Sequence, residues 1–207
     1  MNSNQELIDH LITSGVLYSP MLIDAFRRCD RTLFVPEELH TSTYGDYPLS
    51  IGMGQTISQP TTVAIMLELL NPQAGNKILD IGSGSGWTTA LLALAVGEDG
   101  FVEGVERIPS LVEYGRRSLR KAHVSNASID LADPSILGKP GHRYDRILIS
   151  ASARDMPMSL LDQLKPGGIL VIPILESVWR ITKDEEGTLN GYELPGFRFV
   201  PLIIDSL

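Results

Sequence analysis

Three glycines at alternate positions, Gly82, Gly84 and Gly86, follow a short apolar run that carries one carboxylate, Asp80. The stretch reads KILDIGSGSGW from Lys77 to Trp87. A side chain in such a turn would hold a ligand off the backbone, and some of its positions need a positive φ that glycine adopts without strain. An apolar helical pattern from Trp87 to Val96 begins at once, so the free N–H groups of a helix start face whatever lies over the loop. Glu106 ends the next apolar run, twenty residues after Gly86, where a carboxylate can accept both hydroxyls of a ribose. A dinucleotide fingerprint is excluded, because its third glycine would fall on Trp87. A P-loop is excluded too, because no Lys-Ser/Thr pair follows the glycines.

A second group of chemically able residues precedes these. Tyr44 to Gln59 (YGDYPLSIGMGQTISQ) shows little periodicity and several turn-formers, and long stretches of this kind are often functional. Pro60 suits the first turn of a helix running to about Leu70, with Ser58 or Gln59 at its N-cap. Thr56, Ile57 and Ser58 then bring N–H and hydroxyl groups to a positive helix end, a place able to hold a carboxylate without an arginine. The alternative is that Ser58 does no more than cap that helix.

The elements that must position these groups alternate in type. Ser3-Asn4-Gln5-Glu6 is a capping box before Leu7, Ile8, Leu11 and Ile12, with Gly15 as the stop. Ser19-Pro20 opens a second helix carrying Leu22, Ile23 and Phe26, and Asp30 to Pro36 reads as a turn into a loop. Strands are expected at Ile78–Ile81, Phe101–Val105, Ala127–Leu131, Tyr144–Ile149 and Ile169–Ile174, with helices over Pro109–His123 and Met156–Leu164. Pro166-Gly167-Gly168 reads as the turn into the fifth of these strands. Val178–Lys183 and residues 196–204 complete the set as two further strands around a polar loop. The fold class expected is α/β, a doubly wound parallel sheet closed at one edge by antiparallel strands. One domain spans 1–207, with 1–58 a helical and loop extension and 59–207 a Rossmann-like core.

Composition narrows the partners. Of 207 residues, 43% are hydrophobic and 20% charged, which is ordinary for a globular chain. A net charge of −8 and a pI near 5.0 argue against a nucleic-acid partner, since no broad basic surface is available to release counterions. The densest basic run, Arg116, Arg117, Arg120 and Lys121, reads as the wet face of a helix. A single cysteine, Cys29, permits no internal disulfide and fits a reducing, cytoplasmic setting. No apolar stretch reaches the ~20 residues that a membrane crossing needs. No signal peptide is expected at the N-terminus, and four scattered histidines offer no metal-ligand spacing. A monomer is expected.

The glycine loop joined to Glu106 resembles the S-adenosylmethionine site of Rossmann-like class I methyltransferases. With the remaining segments in place, the whole chain resembles the protein-L-isoaspartate (D-aspartate) O-methyltransferase family. The most specific match is GQTISQP, Gly54 to Pro60; LDIGSGSG (79–86), GVERIPSLVEYGRR (104–117) and RFVPL (198–202) agree as well. The resemblance implies methyl transfer from S-adenosyl-L-methionine, leaving S-adenosyl-L-homocysteine, to the free carboxylate of isoaspartyl residues in damaged proteins or peptides. The ester then cyclises to a succinimide. It also implies Ser58 as the catalytic residue that positions the attacking carboxylate. Thr56, Ile57, Asp80, Gly82, Ser83, Gly84, Glu106, Arg107 and Asp133 are expected at the cofactor, and Ala151, Ser152, Phe199, Val200 and Pro201 along the peptide groove. The chain departs from the family's usual pattern at Ala132-Asp133-Pro134, where Gly-Asp-Gly is common, at Arg154 and Asp155, and in a short segment after the fifth core strand. Those departures leave open a dedicated carboxyl methyltransferase acting on one peptide or metabolite, or a non-catalytic cofactor-binding adaptor.

Overall fold

The structure is a computed structural model that describes residues 1–203. Seven strands form one sheet in the order β5-β4-β3-β6-β7-β8-β9. They are β3 (Lys77–Ile81), β4 (Phe101–Glu106), β5 (Ala127–Leu131), β6 (Tyr144–Ile149), β7 (Leu164–Ile174), β8 (Ser177–Lys183) and β9 (Leu189–Pro195). The five strands from β5 to β7 are parallel; β8 and β9 add antiparallel to one edge. The chain winds from the central β3 out to β5, returns, and winds the other way from β6. The glycine loop therefore leaves the sheet at the switch point, where open α/β sheets bind ligands.

Side chains alternate between two apolar layers, as a pleat requires. Ile78, Val102, Ile129, Leu148 and Val171 face the layer shared with α1 (Asn4–Thr13), α2 (Pro20–Arg28), α3 (Pro60–Leu70), α4 (Trp87–Val96) and α5 (Pro109–Lys121). Leu79, Ile81, Val105, Ile147, Ile149 and Leu170 face the other, covered by α6 (Met158–Leu161) and the segment 132–143. The N-terminal helices form a side layer on α4, with Phe26 edge-on to Trp87 at 5.7 Å between ring centroids. At the N-cap of α1 the Ser3 hydroxyl oxygen accepts from Glu6 N–H at 3.2 Å, but the Glu6 carboxylate accepts from Asn2, so only half of the expected capping box is closed.

Five expectations need correction. The irregular stretch 44–59 contains an antiparallel ribbon, β1 (Leu49–Gly52) and β2 (Gln55–Ile57), turning through Gly52-Met53-Gly54 at φ of 87, 54 and 71°. The helix read over Met156–Leu164 shrinks to α6, and Pro166-Gly167-Gly168 is not a turn before a strand. It lies inside β7 as an irregularity, with Leu164 opposite Tyr144 and Ile169 opposite Arg146. Asp30 to Pro36 is not simply a loop, because Arg31–Phe34 forms a turn of 3₁₀ helix begun by the Asp30 carboxylate accepting from Thr32 N–H at 2.9 Å. The last strand falls on Leu189–Pro195 rather than on 196–204; Ile204 itself lies outside the described residues. Asn190 and Gly191 pair fully with β8, and a Cβ on Gly191 would stand 3.3 Å from Ile181 Cδ1.

Candidate active site

Backbone bonds pin the glycine loop to the neighbouring strand. Gly82 and Ser83 N–H both donate to the Val105 carbonyl, at 2.9 and 3.2 Å, and Gly86 N–H donates to the Ser83 carbonyl at 2.8 Å. Gly82, Gly84 and Gly86 take φ of 79, 53 and 90°, where a side chain costs roughly 1–2 kcal/mol in backbone strain alone. A Cβ on Gly84 would lie 3.2 Å from Ile51 Cδ1, so the β1–β2 ribbon rests directly on the loop. From below, α5 comes equally close: a Cβ on Gly115 would stand 3.1 Å from the Gly84 carbonyl oxygen.

Glu106 stands where the spacing places it. Its Oε2 accepts from Gly84 N–H at 3.0 Å and its Oε1 from Ile108 N–H at 2.9 Å. A carboxylate has about four acceptor sites, so two remain for a diol. Asp133 projects from the carboxyl end of the sheet with its Oδ1 accepting from Ser135 N–H (2.9 Å) and Oγ (2.7 Å), bonds that hold its pKa below the usual range. Asp80 is placed differently from expectation. It is fully buried under the loop, off the cleft lining, and its Oδ2 accepts from Thr88 and Thr89 hydroxyls at 2.8 and 2.6 Å. Burial raises its pKa to about 6, the threonine bonds opposing and the nearby Glu106 charge adding to the rise. Asp80 thus shapes the start of α4 and reaches the cleft only through Thr88.

The cleft over the loop has an empty volume of about 1070 Å³, counted out to its open mouth. Gly82, Ser83, Gly84, Glu106, Arg107 and Asp133 line it, with Thr56, Ile57 and Ser58 from the ribbon and Ala151, Val200 and Pro201 opposite. Ser83 Oγ is buried without a hydrogen-bond partner among the described residues. A glycine floor, a diol-accepting carboxylate and a spare hydroxyl fit an adenosyl cofactor. A second, more open groove runs beside the first along Gln59, Thr61, Ile65, Glu176 and Phe197–Phe199. Thr56, Ser58, Ser150 and Val200 line both spaces and form the neck between them.

Ser58 does not cap α3. Gln59 takes the N-cap position, without a side-chain bond, and the Thr61 N–H donates to Asp46 Oδ1 at 2.9 Å. Burial alone would raise the pKa of Asp46, but bonds from Thr61 and Gln59 and the nearby His10 bring it below the ordinary value. The anion-favouring helix end expected to receive an acceptor thus already holds a carboxylate of the chain. The Ser58 hydroxyl makes no hydrogen bond among the described residues and stays free at the neck.

The segment 196–203 crosses both spaces as an extended strap. Ser152 N–H donates to the Val200 carbonyl and Leu202 N–H to the Ser152 carbonyl, each at 2.8 Å. Phe197 and Phe199 stack at 6.5 Å and pack on the main core, and Phe199 also lines the second groove. Ser152 lines neither space; its hydroxyl donates to the Leu175 carbonyl at 3.0 Å, so it anchors the strap instead of facing a peptide. Sequence reasoning passed over Ser150 and Thr88, which only the folded loops bring to the walls. It also missed Arg31, whose one signal was a charge set in an apolar run, RTLFV.

The profile of the family described as Protein-L-isoaspartate(D-aspartate) O-methyltransferase matches residues 2–206. A Protein-L-isoaspartate O-methyltransferase of Methanopyrus kandleri is 42% identical over 206 residues, covering 97% of this chain and 91% of its own. One of Methanothrix thermoacetophila is 44% identical over 188 residues, 89% of each chain. A crystal structure from Plasmodium falciparum, of a protein-L-isoaspartate O-methyltransferase in complex with S-adenosyl-L-homocysteine, aligns with a TM-score of 0.86. It is 26% identical, covering 98% of this chain and 99% of that one. Among the described residues no helix is long and apolar enough to cross a membrane.

Proposed function

We propose that this chain, which belongs to the protein-L-isoaspartate(D-aspartate) O-methyltransferase family, transfers the methyl group at the neck where its two cavities meet. The reaction carries a methyl from S-adenosylmethionine to the free carboxylate of an isoaspartyl residue in a protein or peptide. The observation that supports this location is the Ser58 hydroxyl, without a hydrogen-bond partner among the described residues and lining both spaces.

The bound cofactor would supply an electrophilic methyl on a sulfonium, a good leaving group. Gly82, Ser83 and Gly84 would form the floor beneath it and Glu106 would accept from its ribose, with Asp133, Arg107 and Ile108 available to the adenine. The acceptor carboxylate is ionised at neutral pH, so no side chain has to remove a proton. Ser58 Oγ–H would donate to one oxygen of the acceptor carboxylate and hold the other toward the inner cleft. Alignment of that kind is worth orders of magnitude in rate. Ile51, Ile57 and Val200 add apolar surface to the inner cleft, which would leave a carboxylate entering it partly desolvated. Phe199 and Val200 lend the strap's backbone as one wall of the peptide groove, whereas Pro201 and Ala151, expected there, line the inner cleft instead.

The same reading places the chain in the cytoplasm as a monomer, with no nucleic-acid partner; it is supported by the lone buried Cys29 and the net charge of −8. The test is transfer of labelled methyl to an isoaspartyl peptide beside its normal aspartyl twin, repeated with Ser58→Ala. Labelling confined to the isoaspartyl peptide is expected. A hydrogen bond to a charged group is worth roughly 1.5–3 kcal/mol, so kcat in Ser58→Ala should fall ~10–100-fold with S-adenosylhomocysteine affinity nearly unchanged. Wild-type turnover in that variant would remove Ser58 from the site.

A further inference from the structure

Arg31 is fully buried, yet among the described residues no carboxylate lies within ion-pair distance of it. Its guanidinium is instead spent on backbone carbonyls. Nη1 donates to Thr43 O at 2.6 Å and Gly45 O at 3.1 Å; Nη2 donates to Tyr47 O at 3.2 Å and Ser58 O at 3.0 Å. The group also sits over the Trp87 ring, 5.1 Å from its centroid. Burial lowers the pKa to about 10, with Asp46 opposing that fall, so the charge persists at neutral pH. Burying a cation without an ion-pair partner is costly; four carbonyls and a ring face offset it here, while the buried Nε–H has no partner among the described residues.

The two ends of this arrangement are the informative part. Ser58 stands at the neck, and Trp87 opens α4 directly after Gly86 and lines the cofactor cleft. One rigid planar group therefore ties the acceptor side of the reaction to the cofactor side. A lysine could not span it, having one compact ammonium in place of a fork.

We propose that Arg31 is a positioning residue for methyl transfer, holding the Ser58 backbone at a set separation from the head of α4 and so from the methyl donor. The proposal rests on the role of Ser58 argued above. Arg31 touches neither cofactor nor peptide, since it lines neither cavity.

The experiment is a double-mutant cycle in the full chain: wild type, Arg31→Lys, Ser58→Ala and the double variant. Read out are kcat and KM for an isoaspartyl peptide at saturating S-adenosylmethionine, the Kd for S-adenosylhomocysteine by calorimetry, and thermal midpoint. Misplacement of reacting groups by ~1 Å can cost about a hundredfold in rate. Arg31→Lys should lower kcat at least ~tenfold with both KM and Kd within about threefold, assayed well below its own melting point. In the Ser58→Ala background the same change should cost less than about threefold. Wild-type kcat in Arg31→Lys, with Ser58→Ala impaired, overturns this proposal alone. Equal losses in both backgrounds overturn it too, because they show a merely structural contribution. Wild-type turnover in Ser58→Ala sinks the Ser58 reading, and the Arg31 proposal falls with it. Should Arg31→Lys fail to fold, Trp87→Leu removes the ring and leaves the four carbonyl bonds; it must show the same dependence on Ser58, and an equal loss with or without Ser58 overturns the proposal.

Discussion

Replacing Gly115 by alanine sets two physical rules against each other. Gly115 lies inside α5, where alanine is intrinsically better by about 1 kcal/mol. If helix propensity decided the outcome, the variant would be more stable. The packing says otherwise. The added Cβ would lie 2.7 Å from Ile129 Cδ1, 3.1 Å from the Gly84 carbonyl oxygen and 3.5 Å from the Gly86 nitrogen. Ile129 Cδ1 can yield by rotation at some cost, since the residue is 1% exposed. The Gly84 carbonyl cannot yield alone, because its neighbours are tied to Val105 and Glu106. Overpacking of this kind costs roughly 1–3 kcal/mol, so the net expectation is a loss of about 0–2 kcal/mol once propensity is credited. The more decisive effect is on binding. A shift of a few tenths of an ångström in the loop misaims Glu106 and the floor glycines together, and loss of about 1.4 kcal/mol there weakens S-adenosylhomocysteine tenfold. Calorimetric titration and urea unfolding of the same preparation read both quantities. A variant that gains about 1 kcal/mol and binds the nucleoside normally would refute the close-approach argument.

Glu106→Gln puts an amide NH2 where one backbone N–H now donates; S-adenosylhomocysteine Kd should rise ~10–100-fold while kcat at saturating cofactor changes little. A Kd within twofold of wild type would show that Glu106 serves the loop and not the ribose. Asp80→Asn should remove a pH dependence of stability. The folded pKa of Asp80 is raised, from 3.8 to about 6, so its contribution is fully present below 3.8 and lost as pH rises through 6. Lowering pH from 7.5 to 4.5 should thus stabilise wild type relative to Asp80→Asn by about 2 kcal/mol, measured by urea unfolding at both values. No relative change would mean that the buried carboxyl group titrates normally.

The glycine loop, Glu106 and the parallel core were legible because each depends on local chemistry: alternate glycines, a strand-end acid, continuous apolar runs. Strands alternating with helices marked the sheet as parallel and doubly wound, while the order of its strands came only from the fold. What escaped was decided by partners distant in sequence. Asp46 and Thr61 are fifteen residues apart, and their bond displaced Ser58 from the capping role. Leu189–Pro195 is a strand because it pairs along its whole length with β8. Arg31 looked like a turn residue, yet its acceptors lie 12 to 27 residues further along. Asp80 was named from its place in the motif, but the pleat turned it under the loop.

The neck at Thr56, Ser58, Ser150 and Val200 separates two openings, one over the glycines and one along the strap. On the reading advanced above, spent nucleoside and esterified chain leave by different doors. An acceptor far larger than the enzyme can therefore park an extended stretch in the outer groove without sealing the inner chamber. Damage repair needs that tolerance, because the lesion arrives embedded in proteins of every size.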